Sequence, residues 1–235
     1  RRALYQVPMP DGKTSTDSYK LTVHMDDEGR IDSESSSTGT GDFATPMRQL
    51  GVLLQGDNGK KLALALLQKS RTPLATGAFM VEPPDVERSQ YKISATYAPP
   101  GPMEPLAAGT KFELGDNLKL LNPLGDIFYG PVMNPKFKAA DLVPCYSGHS
   151  IDDETLEFPS TRHLDRLPDD ANVRTQHITY SSHWSQTPGS VNVHREFEAR
   201  FEEPLCNAMI RDEVQAALVR IRADAAAASF AVPRN

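Results

Sequence analysis

Residues 191–201 alternate in a way that few structures satisfy. Val191, Val193, Phe197, Ala199 and Phe201 share one parity, and Asn192, His194, Glu196, Glu198 and Arg200 share the other. Successive side chains of a strand point to opposite faces of a sheet. The segment Val191–Phe201 is therefore a strand with one face in a core and one face in water. Arg195 interrupts the apolar face. Upstream, Val173–Trp184 reads as the partner strand, and Ser185-Gln186-Thr187-Pro188-Gly189-Ser190 reads as the turn, giving a hairpin over 173–201. Pro204 ends the run and Asn207 suits a helix cap. Ile210, Val214, Ala217, Leu218, Ile221 and Ala225 then form one apolar stripe, which predicts a helix over 207–228 lying on the sheet. The hairpin face carrying Ile178, Tyr180, Val193 and Phe197 is expected to pack beneath it.

The first half follows the same logic. Residues 1–17 hold Pro8, Pro10, Asp11 and Gly12 without a period and read as a linker or docked arm. Tyr19, Leu21, Val23 and Met25 alternate with polar residues, and a polar strand Ile31–Thr38 returns after the turn Asp27-Glu28-Gly29-Arg30. Thr45-Pro46 starts a helix, Gly56-Asp57-Asn58-Gly59 breaks it, and a second short helix covers Lys60–Lys69. Strand signals resume at Ala78–Val81 and Tyr91–Tyr97. The Pro-rich run from Pro99 to Pro105 excludes a central strand, because proline cannot donate to a ladder. It suggests a boundary between a β-rich subdomain with a helical insertion, 18–105, and a second β-rich subdomain, 106–235. Short apolar pieces at Leu118–Leu121 and Ile127–Tyr129 and a strand Ser150–Phe158 belong to the second. The expected fold is α+β and mainly β, with antiparallel, sandwich-like sheets, two short helices early and one long C-terminal helix on the sheet.

Composition bounds the function. The chain has 235 residues, a net charge of −6 and a 39% hydrophobic content, enough for a real core. The acidic balance gives no electrostatic reason to bind nucleic acid. No apolar run approaches the roughly 18 residues of a membrane span. The start at Arg1-Arg2-Ala3 reads as that of a mature, trimmed or excised fragment. No cofactor motif is present: Gly39-Thr40-Gly41 lacks the lysine and hydroxyl of a phosphate loop.

The only two cysteines, Cys145 and Cys206, sit at element boundaries. They read as a disulfide staple or, alternatively, as two buried packing thiols. A bridge would close a loop worth roughly 4 kcal/mol and would point to an oxidising compartment. Cys145 and His149 are too far apart along a strand for direct proton transfer. His183, His194 and Glu196 are the weak candidates for a surface zinc site, against a solvated polar face. Asp152-Asp153-Glu154 and Asp165 with Asp169-Asp170 read as solvated turns lacking calcium-loop spacing. Trp184 and Tyr180, with Tyr146, are the weak candidates for a sugar-stacking platform, with core packing the better expectation.

Five pieces stand out together: Pro144-Cys145-Tyr146-Ser147-Gly148, Thr179-Tyr180-Ser181-Ser182-His183-Trp184, Val193-His194-Arg195-Glu196-Phe197, Pro204-Leu205-Cys206 and Ile221-Arg222-Ala223-Asp224. They resemble the region downstream of the core in large bacterial multidomain transglutaminase-like proteins, with the first β-hairpin and the Met47-Arg48 helix as a weaker match. The resemblance implies a periplasmic or secreted bacterial protein whose catalytic core lies elsewhere. The chain itself would then be a non-catalytic accessory region that packs on that core or on another protein chain. The alternatives are a free-standing glycan- or peptide-binding β module and, third, a thiol- or metal-dependent hydrolase.

Overall fold

A computed structural model describes residues 15–69, 76–83, 89–99, 101, 111–113, 141–160, 167–226 and 229–231. The elements run β1 (Thr16–Met25), β2 (Ile31–Thr40), α1 (Ala44–Leu53), α2 (Asp57–Lys69), β3 (Thr76–Val81) and β4 (Gln90–Ala98). After β5 (Lys111–Glu113) come β6 (Val143–Pro144), β7 (Gly148–Glu157), β8 (Asn172–Arg174), β9 (Ile178–Thr187) and β10 (Ser190–Ala199). The chain then forms β11 (Leu205–Cys206), α3 (Ala208–Ala226) and β12 (Ser229–Ala231). This is the mainly β architecture expected, with two short helices early and one long helix late. The apolar pieces at 118–121 and 127–129 and the proposed arm up to residue 14 lie outside the described residues.

Eight strands form one sheet in the order β3-β4-β2-β1-β7-β10-β9-β8. Its neighbours are antiparallel except β1 and β7, which run parallel, with Tyr19 beside Asp152. A parallel pair needs a long connection, and residues 26–147 lie between these two strands. Strands from both sides of the Pro-rich run are thus hydrogen-bonded side by side, and the boundary expected near residue 105 does not divide the sheet.

Residues paired across neighbouring strands share a face, so the register identifies one covered face. One row crosses it as Ser37, Tyr19, Asp152, Arg195 and Ser182. One apolar cluster joins Tyr19, Leu21, Val23, Tyr91, Ile93, Trp184, Val191 and Val193 with Met47 and Leu54. The close approach of α1 is tight: a Cβ on Gly51 would lie 2.0 Å from the Tyr91 hydroxyl, so no larger residue fits without displacement. The second cluster joins Ile178, Tyr180, Phe197 and Ala199 to Val214, Ala217, Leu218 and Ile221 of α3. Three of the four hairpin residues expected beneath the helix lie there, whereas Val193 belongs to the first cluster. Truncating Phe197, which is 2% exposed, to alanine is expected to cost about 3–5 kcal/mol. A loss below about 1 kcal/mol in a denaturant titration would place its side chain outside the core.

Local boundaries depart from the sequence reading in several places, and α2 begins at Asp57, inside the break expected over 56–59. The hairpin turn is two residues, Pro188 and Gly189, with φ of 79° at Gly189. Proline suits the first central turn position and glycine tolerates the positive φ of the second. The first strand therefore runs on to Thr187, past Trp184, and begins only at Ile178, while Val173 forms the separate strand β8. The first helix starts at Ala44 with no side-chain cap, because a 3-10 turn over Gly41–Phe43 leads into it. Asn207 does cap α3: its Oδ1 accepts from the Ile210 N–H at 3.1 Å.

Candidate functional site

The covered face contains a polar belt between the two apolar clusters. Arg195 sits on β10 with its side chain 3% exposed. Its Nη1 donates to Asp152 Oδ2 at 2.9 Å and lies 3.3 Å from Glu154 Oε1. Asp152 and Glu154 are two apart on β7, which places both carboxylates on this face. From α3, Asp224 Oδ2 approaches Arg195 Nε at 3.7 Å and accepts from the Tyr180 hydroxyl at 2.5 Å. Its Oδ1 accepts from Ser182 Oγ at 3.1 Å. The Arg195 guanidinium also lies over the Trp184 ring, 5.4 Å from its centroid.

Electrostatics make this cluster rigid more than reactive. Burial alone would lower the Arg195 pKa, but Glu154 and Asp152 outweigh it and hold the guanidinium charged. Burial and the hydrogen bond to Asp224 push the Tyr180 phenol well above its ordinary range, so it acts as a donor and not as a base. A buried charge persists only when paired and hydrogen-bonded. The arrangement ties α3 to three strands through one cation.

Asp17 behaves differently. It lies on the covered face and accepts from Ser37 Oγ at 2.8 Å. Burial, which outweighs that hydrogen bond, pushes its carboxyl from 3.8 up to about 6. The folded state then holds this proton more tightly than the unfolded chain, so stability falls as pH rises from about 4 to 6. Asp17→Asn keeps an acceptor for Ser37 without the charge. It is expected to raise stability at pH 7 by up to about 3 kcal/mol and to flatten that slope. Identical pH–stability curves for the variant and the parent would contradict this.

The opposite face of the sheet is polar and open to solvent. His24 lies 3.5 Å from Glu157, His149 2.7 Å from Glu196, and His194 2.7 Å from Asp153. His183 Nδ1 lies 2.7 Å from Asp170 Oδ2, and the hydrogen bond from His183 is the main cause of a lowered Asp170 pKa. A turn over 185–190 would pair Trp184 with Val191 and leave His183 diagonal to His194; instead Trp184 faces Val193, and His183 faces His194 directly. The three metal candidates nevertheless go separate ways, with His183, His194 and Glu196 each held by a different partner. Among the described residues, no group of three or more His, Cys, Asp or Glu is arranged to hold a metal ion.

Other candidates are also placed. Tyr180 and Trp184 are 0% and 5% exposed, so neither presents a stacking shelf. Cys145 and Cys206 form a disulfide with Cα atoms 5.7 Å apart, the bridge rather than the packing pair. His149 lies on the open face against Glu196 and not against Cys145. His177 lies in the bend before β9, bonded to Glu213 of α3 at 2.9 Å and stacked on Phe201. Burial would raise the Glu213 pKa, but bonds from Thr175 and His177 hold it below the ordinary value.

Comparison with family models, curated proteins and solved structures finds no match.

Sequence reading missed the belt. Asp152 and Glu154 were expected in solvated turns, but they point inward from the middle of β7. The one available signal was Arg195 on an otherwise apolar strand face. Within the other acidic group, Asp170 caps the edge of β9, its Oδ1 accepting from the Trp184 N–H at 2.9 Å; Asp165 lies outside the described residues.

Proposed function

We propose that this chain is a non-catalytic accessory module of an exported bacterial protein with a transglutaminase-like core, packing on that core or presenting a partner to it. The observation that carries this reading is the Cys145–Cys206 disulfide. It uses both thiols of the chain, and a nucleophilic cysteine must be a free thiolate. It also fits an oxidising compartment such as the periplasm or the extracellular space. The histidines of the open face support the same reading, since each is held by a carboxylate and none stands against a thiol. No described helix is long and apolar enough to cross a membrane.

The test is an activity assay on the purified, oxidised chain with a glutamine-donor protein and a primary amine, and with a peptide substrate. Neither amide cross-links nor cleavage above the blank is expected. Turnover that Cys145→Ala abolishes, with folding retained, would overturn the reading and favour a thiol hydrolase.

A further inference from the structure

We infer that the outer face of the β6–β11 ribbon is a docking surface for a protein segment with apolar anchors flanked by Lys or Arg. The ribbon pairs Leu205 with Pro144 and Cys206 with Val143, and the Cys145 N–H donates to the Pro204 carbonyl at 2.9 Å. Alternation therefore divides its side chains. Val143, Cys145 and Cys206 point into the core, at 0%, 5% and 1% exposure. Leu142, Tyr146 and Leu205 point outward, at 57%, 43% and 45%. Residues diagonal across an antiparallel pair lie within reach of long side chains, so Leu205 lies between Leu142 and Tyr146. Met209, in the first turn of α3, adds a side chain 76% exposed. A ribbon with one solvated face would carry polar residues there, as the open face of the large sheet does. Contiguous exposed apolar groups of this kind mark interaction sites.

Charge identifies the occupant. Glu202 and Glu203 precede Leu205 by three and two residues, and Asp212 follows Met209 by one helical turn. All three are exposed and none forms an ion pair among the described residues. Of the arginines in the same stretch, Arg200 is paired with Glu198 and Arg211 is buried, so the exposed, unpaired charges beside the apolar groups are acidic. A second copy of the chain would bring like charges together, and an anionic membrane surface would be repelled. A basic-rimmed protein segment satisfies both parts of the surface, with apolar burial giving affinity and the rim giving orientation. The inference rests on the accessory-module reading only in taking that segment to come from a protein partner.

The test uses two short synthetic peptides with the same Leu and Phe anchors, one flanked by lysines and one by glutamates. The full chain is titrated with each and followed by amide chemical shifts. The lysine peptide is expected to shift signals of residues 142–146 and 202–212, and to bind at least about tenfold more tightly than the glutamate peptide. Raising the salt from about 0.05 M to about 0.5 M should remove most of that difference. Leu205→Ser with Met209→Ser should weaken binding about tenfold or more, while Val219→Ser, at an exposed position farther along α3, should leave it unchanged. No binding, equal binding of both peptides, shifts mapping elsewhere, or a dimer that the double variant dissociates would each overturn the inference. Cross-linking activity with peptide binding intact would remove the accessory reading alone; lost binding with no activity would remove only this surface.

Discussion

Replacing Arg195 by alanine is expected to destabilise the protein by about 3–5 kcal/mol, because a buried ion pair broken from one side leaves uncompensated charge. The carboxylates of Asp152 and Glu154 stay inside at 2% and 1% exposure, and Asp224 loses its nearest cation. The bond from Tyr180 to Asp224 survives, but it must then hold that part of α3 against a repulsive neighbourhood. Arg195→Lys keeps the charge and loses the planar fork that reaches Asp152, Glu154 and Asp224 together. Its cost should be intermediate, about 1–3 kcal/mol. Equilibrium unfolding of the two variants decides the point. If alanine costs no more than lysine, the cluster is not held by its cation and the description of the belt is wrong.

Removing the disulfide is the second large effect. The bridge spans a sequence separation of 61, and closing a loop of that size is worth about 4 kcal/mol in the chain-entropy model. It joins Cys145, next to β6, to Cys206, the residue before the Asn207 cap, and both lie in the core cluster with Phe43, Val143 and Val214. Cys145→Ala with Cys206→Ala should therefore lower the unfolding midpoint. It should also speed amide exchange first in the opening turns of α3, whose N-terminal anchor is gone. Unchanged stability in the double variant would show that packing alone fixes the ribbon.

Legibility differed by element for physical reasons. The alternation in β1 and β10, the stripe of α3 and the Asn207 cap depend on local period and local hydrogen bonding, which a sequence displays directly. The hairpin register was misread because Ser185, Gln186 and Thr187 are polar and resemble a loop. They are strand residues at the end of β9, with Ser185 and Thr187 on the solvated face. The error shifts the pairing by two residues and not by one. Inward and outward faces therefore came out right, while the cross-strand neighbours of His183 did not. The polar belt was hidden for another reason. Asp152 and Glu154 meet Arg195 from another strand and Asp224 from a helix farther along the chain, and no spacing rule connects them. Tyr180 and Trp184 take the inward face, the core packing that their alternation with Thr179, Ser181 and His183 favours over a binding platform.

The account depends on Cys145 and Cys206 being joined in the working protein, since that bond both removes the thiol nucleophile and supports export. Thiol titration of the chain isolated from its native compartment, under denaturing and non-reducing conditions, measures this directly. The account predicts no reactive thiol until a reductant is added, and then two per chain. Two reactive thiols without reductant would contradict it and reopen a thiol chemistry at Cys145.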